Sequence, residues 1–266
     1  MPSVALGPVT KLLRKPWYAA WKTAEQRHFR GNEYTLLIPN GQRIYSPWYA
    51  DREDSHFGAL IHEVRQSGRL TVSLDRCFTL HHLAANAARV HPGRPMAECG
   101  VYTGGTAQLI VSTVTGSSSQ ALELHLFDSF AGMPDSSLPD RDYHEPGDFS
   151  DTSLGAVSER LAAFPDIHFH SGFMPGTFAE VSDINGYSFV HVDVDIYPSV
   201  KVCLEWFWPR MAPGGVMVFD DYGFYPYRNS ARIAVDEFFE NLPESPWPLP
   251  TGQAIVHSDW KEPAIS

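Results

Sequence analysis

From residue 95 onward the chain alternates short apolar runs with stretches of helical patterning. The runs are PMAECGV, LELHLFD, DIHFHSGF, YSFVHVDVDIY and GGVMVFDD, and the helix-patterned segments lie near 104–115, 152–164, 175–182, 198–210 and 230–241. Strands interleaved with helices predict right-handed βαβ crossovers and a mostly parallel sheet covered on both faces. Past the last helix, PWPLPTGQAIVHS carries two short β-prone pieces around Thr251-Gly252. No helix separates them, so they predict an antiparallel hairpin at the sheet rather than another crossover. The expected fold is α/β, a doubly wound sheet with a C-terminal antiparallel hairpin.

The first 94 residues are patterned differently. YTLLIPNGQRIYS, residues 34–46, sets two β-prone runs either side of Asn40-Gly41, a favoured pair for a tight hairpin turn. Two helices are predicted next, over 54–67 with Gly68 as its stop and over 73–90 with Ser73 as N-cap, before His91-Pro92-Gly93 breaks the chain. The organisation expected is an arm over 1–69, with hairpin and helix, and a catalytic domain over 70–266.

Charge narrows the choice of partner. Lys and Arg number 20 against 31 Asp and Glu, a net charge of −11 that disfavours nucleic acid. Residues 1–30 run the other way: Lys11, Arg14, Lys15, Lys22, Arg27 and Arg30 face Glu25 alone and interleave with Trp17, Tyr18 and Trp21. That pattern allows a surface helix touching anionic lipid, but a mobile or partner-packed arm is the plainer reading, and membrane contact is not expected. No apolar run approaches the roughly 20 residues of a membrane span, and the N-terminus lacks a signal-peptide core. Cys77, Cys99 and Cys203 are odd in number and far apart, which fits buried filler in a reducing compartment. The expected location is cytoplasmic.

In doubly wound folds ligands gather beyond the carboxyl ends of the strands. The first run ends Glu98-Cys-Gly100-Val-Tyr102-Thr-Gly104-Gly105-Thr106, a glycine turn leading into a helix N-terminus. The second ends at Asp128, 28 residues beyond Gly100, where a carboxylate can accept both hydroxyls of an adenosine ribose. The acid ahead of the first glycine would repel a pyrophosphate and suits a ligand carrying an ammonium group. S-adenosylmethionine is therefore favoured over NAD. With their neighbours at the ends of the first three runs, the candidate cofactor set is Glu98, Gly100, Tyr102, Gly104, Thr106, Asp128, Ser129, Phe130, Gly172 and Phe173.

The fourth run places His191, Asp193 and Asp195 at period two, so on a continuing strand the three side chains leave in one direction. The fifth ends in Asp220-Asp221. Clustered carboxylates are costly to bury unless a cation or proton relieves them, and oxygen ligands without thiolates describe a hard-cation site for Mg²⁺, Mn²⁺ or Ca²⁺. His191, deeper in the strand, reads as a satisfied core histidine and is left out of the metal set.

In order, ECGVYTGGTA, LFDSFAGMPD, FVHVDVDIY, PRMAPGGVMVFDDYGF, ARIAVDEFF and PTGQAIVH resemble the macrocin-type O-methyltransferases, which methylate sugar hydroxyls in macrolide and aminocoumarin antibiotic assembly. The likeness runs from about residue 70 to 258. It implies a Rossmann-like class I methyltransferase sheet and a metal-dependent enzyme that transfers a methyl group from S-adenosylmethionine to a hydroxyl of a sugar or other small natural product. It also implies Asp193, Asp220 and Asp221 as metal ligands and Asp195 as general base. An offset of about 6.6–6.8 Å between Asp193 and Asp195 along a strand gives a reason for two roles, since both could not hold one small ion equally. Tyr222, Phe224, Tyr225, Tyr227 and the long loop 132–151 are expected to wall the acceptor pocket, the loop acting as a lid. Two alternatives stand beside this reading. A metal-dependent glycosyltransferase using Asp193-Val194-Asp195 leaves Glu98 to Thr106 unexplained, and a catalytically silent scaffold is opposed by the presence of all four aspartates. A homo-oligomer is compatible with the sequence.

Overall fold

The computed structural model describes residues 56–117, 122–135, 142–224, 227 and 229–259, and the backbone of two short strands at 36–37 and 44–45. The chain divides into two compact units, Met1–Glu53 and Asp54–Ser266. In the first, β1 (Leu36–Leu37) and β2 (Ile44–Tyr45) pair antiparallel, with Leu36 opposite Tyr45 and Leu37 opposite Ile44. That register is centred on Asn40-Gly41, as the hairpin reading requires. The turn itself and the basic aromatic segment 1–30 lie outside the described residues.

The second unit opens with α1 (His56–Ser67) and α2 (Leu74–Val90) and continues through β3 (Met96–Cys99), α3 (Gly105–Ser117), β4 (Leu124–Asp128), α4 (Leu154–Leu161) and β5 (Ile167–Ser171). A 3₁₀ turn at Gly176–Val181 leads to β6 (Tyr187–Val192), α5 (Tyr197–Phe207), β7 (Met211–Phe219), α6 (Ala231–Phe239), β8 (Trp247–Pro248) and β9 (Ala254–His257). Seven strands form one sheet in the order β5-β4-β3-β6-β7-β9-β8. The first five are parallel; β9 enters antiparallel between β7 and β8. This is the strand order of a class I Rossmann-like methyltransferase, with the predicted C-terminal hairpin in place.

Burial on both faces explains why the central runs are continuously apolar rather than alternating: every residue of β3 and β6 is buried. On one face Ala97, Cys99, Phe127, Val190, Val192, Met217 and Phe219 pack against Val200, Leu204 and Phe207 of α5 and Val235 and Phe239 of α6. On the other face lie Met96, Glu98, His191 and Val218, in register across β3, β6 and β7. All three cysteines are buried and free. Among the described residues no helix is long and apolar enough to cross a membrane.

Two local expectations need correction. Ser73 stands at the N-cap of α2, yet its hydroxyl serves Asp75 and Arg76 instead of a helix N–H. The segment near 175–182 forms a 3₁₀ helix, not an α-helix. The remaining predicted helices are present, and Ser153 caps α4 by accepting from the Ala156 N–H at 3.2 Å. Arg160 of α4 then binds the Val64 carbonyl at the end of α1, the Arg69 and Thr103 carbonyls and the Gln108 side chain, tying α1 to the turn after β3.

Candidate active site

The site lies where β3, β4, β6 and β7 end. After β3 the chain turns at Gly100 (φ +85°), and a Cβ there would come within 1.9 Å of the Asp193 carbonyl oxygen. Gly104 and Gly105 are similarly confined: a Cβ would stand 2.9 Å from Val157 Cγ1 at the first and 2.8 Å from the Arg69 carbonyl oxygen at the second. The glycines expected to admit a ligand are thus required, first of all, by close approach of the protein to itself. Thr106 is buried at the start of α3. Tyr102, in left-handed backbone (φ +49°), bonds Asp151 through its hydroxyl at 2.6 Å and lies under the Arg69 guanidinium.

Asp128, at the end of β4, accepts three backbone N–H bonds: from Val101 (2.7 Å) and Tyr102 (2.8 Å) on Oδ2 and from Phe130 (2.7 Å) on Oδ1. It therefore shapes the glycine turn, and a carboxylate with about four lone-pair sites keeps little further capacity. Ser129 bonds the Gly132 carbonyl, and the Gly172 N–H reaches the Asp128 carbonyl at 2.9 Å, which brings the ends of β4 and β5 together. Phe173 stands 53% exposed beside them.

Glu98 is fully buried. Its Oε1 bonds His191 Nδ1 at 2.8 Å, while Oε2 is buried without a partner. His191 Nε2 faces Asp220 Oδ1 at 3.4 Å. Burial opposes a charge on this ring, but the hydrogen bonds of Asp220 and Glu98 outweigh it and raise its pKa to about 10.

Asp220 has both oxygens engaged: Oδ1 accepts from Gln253 Nε2 at 2.7 Å and faces His191, and Oδ2 takes the Arg76 guanidinium from α2. Burial alone would raise its pKa; Arg76 and His191 bring it below the ordinary value. Asp193 and Asp221 are pushed up, first by burial and then by neighbouring carboxylates. Burial and then Asp193 bring Asp195 to about 7, against the opposite pull of Asp221 and Tyr227.

Strand β6 stops at Val192, and the period-two alternation does not extend to Asp195, whose backbone is left-handed (φ +56°). In consequence Asp193 and Asp195 are not separated as two steps of a strand would separate them. Ligand oxygens of Asp193, Asp195 and Asp221 all fall within 4.8 Å of one another, as do ligand atoms of His191, Asp193 and Asp220. Asp221 Oδ2 is buried and unpartnered. An oxygen-only donor set with an orphaned carboxylate oxygen and mutually repelling charges fits a hard divalent cation.

Of the expected acceptor-pocket wall, Tyr222 bonds Asp236 at 2.6 Å, Phe224 lies under the Arg76 guanidinium at 4.9 Å, and Tyr225 lies outside the described residues. Tyr227 meets the loop: its hydroxyl is 2.8 Å from His144 Nε2, and their rings stack 5.6 Å apart. His144 Nδ1 is 3.1 Å from Asp148, and Nε2 is 3.6 Å from Asp195. Arg76, Gln253 and His144 were not singled out from the sequence. Gln253 directly follows the Thr251-Gly252 turn at a strand end, a signal of the kind used for the acids; Arg76 and His144 carry none.

Comparison with known proteins agrees with this geometry. The family TylF, macrocin-O-methyltransferase, matches residues 71–244. The 8-demethyl-8-(2,3-dimethoxy-alpha-L-rhamnosyl)-tetracenomycin-C 4'-O-methyltransferase of Streptomyces olivaceus is 27% identical over 152 residues, 54% of this chain and 57% of that protein. The mycinamicin III 3''-O-methyltransferase of Micromonospora griseorubida is 24% identical over 183 residues, 62% of this chain and 72% of that protein. Among solved structures, the O-methyltransferase NovP superposes with a TM-score of 0.64 at 18% identity, covering 72% of this chain and 83% of that one. CalS11, a calicheamicin methyltransferase, gives 0.59 at 17% identity, covering 85% and 99%. These likenesses show the fold, and the family match displaces the glycosyltransferase reading. With its family matched over most of the second unit and its sheet in the same strand order, the chain belongs to the TylF family of macrocin-type O-methyltransferases.

Proposed function

We propose that this protein transfers the methyl group of S-adenosylmethionine to a hydroxyl of a sugar or glycosylated natural product, with a divalent cation such as Mg²⁺ in the acidic cluster. The observation that carries the reading is the convergence of Asp193, Asp195 and Asp221 within 4.8 Å at the ends of β6 and β7, beside the glycine turn after β3. Family membership supports methyl transfer. The Streptomyces relative's name places its acceptor on a rhamnosyl group, which supports a sugar hydroxyl here.

Asp193 and Asp221 would hold the cation together with Asp220, whose Oδ2 would have to exchange Arg76 for it, and the bound ion would make a nearby hydroxyl more acidic. Asp195 takes the hydroxyl proton as general base. Glu98 offers its unpartnered Oε2 toward an ammonium group. Gly100, Tyr102, Gly104, Thr106, Asp128, Ser129, Phe130, Gly172 and Phe173 border the donor, and the remaining catalysis is alignment of oxygen, carbon and sulfur.

Calorimetry with S-adenosylhomocysteine and with a UDP-sugar, each with and without Mg²⁺, tests the reading. S-adenosylhomocysteine is expected to bind in both conditions and the UDP-sugar in neither. Failure to bind S-adenosylhomocysteine overturns the assignment.

A further inference from the structure

Residues 142–150 of the long loop grip the turn that carries Asp195 from two sides. On one side the carboxylate of Asp142, itself 2% exposed, accepts the Tyr197 backbone N–H at 2.8 Å. The first N–H groups of a helix have no acceptor within the helix, so an acid is well placed at the start of α5. On the other side His144 reaches Asp195 at 3.6 Å and the Tyr227 hydroxyl at 2.8 Å, while Asp148 orients the ring from Nδ1. Phe149 packs on His144 at 4.8 Å and on Tyr102 at 5.4 Å, so an aromatic row joins the grip to the cofactor-side turn.

Between the two grips the backbone leaves regular structure. Asp195 is in left-handed conformation, which few non-glycine residues adopt and which aspartate tolerates better than most. From β6 the turn is anchored by the Asp193 N–H on the Cys99 carbonyl at 2.8 Å, upstream of Asp195. Downstream, Tyr197 is held from outside α5 by Asp142 on its backbone N–H at 2.8 Å and by Glu237 of α6 on its hydroxyl at 2.6 Å, so Asp142 is the anchor on the backbone itself.

We propose that Asp142 and His144 are positioning residues for the methyl-transfer reaction: together they clamp the Asp193–Tyr197 turn and hold the Asp195 carboxylate toward the acceptor. The inference rests on the reading of Asp195 as the base. Residues 142–150 then order the base-bearing turn through these contacts, besides bordering the site.

Hydrogen exchange of the 193–199 backbone, followed in the full chain, tests the clamp without requiring a known acceptor. Asp142→Ala and His144→Phe are each expected to speed exchange there at least tenfold while leaving β3 unchanged, because local opening is governed by the contacts removed. Asp142→Asn keeps the acceptor oxygen and His144→Gln keeps a donor near Nε2, so both should restore most of the protection. Mg²⁺ affinity by calorimetry should fall several-fold in the Ala and Phe variants, since Asp193 lies on the same turn. S-adenosylhomocysteine affinity, unchanged throughout, separates this from failure of the methyltransferase reading. Parental exchange at 193–199 in Asp142→Ala and His144→Phe overturns the clamp, as does equal loss of protection in β3.

Discussion

A Cβ on Gly100 would stand 1.9 Å from the carbonyl oxygen of Asp193, so the turn after β3 and the turn after β6 are shaped against each other. Gly100→Ala must push one of them away. Overpacking typically costs about 1–3 kcal/mol and left-handed backbone adds roughly 1–2 kcal/mol. The expected result is a protein less stable by about 2–5 kcal/mol, with weakened affinity for both S-adenosylhomocysteine and Mg²⁺. Denaturant unfolding and calorimetry check this; parental stability and affinities would refute it.

Arg76 places a positive charge among the carboxylates, against Asp220 and 3.9 Å from Asp221. Arg76→Met removes that charge and leaves its partners buried. Breaking such a pair costs about 3–5 kcal/mol. Added Mg²⁺ neutralises the same carboxylates, so it should raise the melting temperature of the variant more than that of the parent. Equal shifts in the two proteins would show that the cation does not enter this cluster.

The roles of Asp195 and Asp221 separate in a Mg²⁺ titration of methyl transfer. Asp195→Asn should lower kcat by about 10²–10⁴, the range usual for a general base, at every metal concentration. Asp221→Asn should lose metal affinity and recover in part at high Mg²⁺. Rescue of Asp195→Asn alone would exchange the two assignments. That outcome is physically accessible, because the oxygens of Asp193, Asp195 and Asp221 converge within 4.8 Å.

Away from the site, His125 is buried between Glu123 and His170, and burial first of all lowers its pKa to about 4. The unfolded chain, with an ordinary histidine near 6.5, binds the proton first as pH falls. Stability contributed by the neutral ring is therefore complete above 6.5 and lost as pH falls from 6.5 toward 4. His125→Gln should close part of its stability gap to the parent over that interval. Comparing the two proteins cancels the opposite trend of the raised carboxylates Asp193, Asp195 and Asp221, which are common to both. A gap that widens with acid would contradict the burial argument.

The parts of this molecule legible in the sequence are those decided by neighbours along the chain. Each central strand announces itself as an apolar run that ends in glycine or acid, and Thr251-Gly252 marks the last hairpin. The period-two reading carried His191 and Asp193 correctly to the end of β6. It failed at Asp195, because the left-handed residue that ends the alternation has no marker: aspartate tolerates that conformation without requiring it. Arg76 was invisible for another reason. It reaches Asp220 across 144 residues, and nothing in SLDRC distinguishes it from a solvated helix charge. The Glu98 to His191 contact spans 93 residues, and only the sheet register shows that the acid assigned to a ligand also holds the histidine assigned to the core.

The antiparallel entry of β9 between β7 and β8 places Ala254 beside Phe219, and with it Gln253 against Asp220. During synthesis the acid pair therefore leaves the ribosome well before the amide that helps to hold it. A nascent chain stopped ahead of β9 would carry the sheet's parallel half, complete in its cofactor-side turn, with β7 as an open edge and Asp220 lacking its Gln253 donor. Completion of the acid centre thus waits for the closing strand: until it is made, Asp220 has Arg76 and His191 as its partners and lacks only the amide.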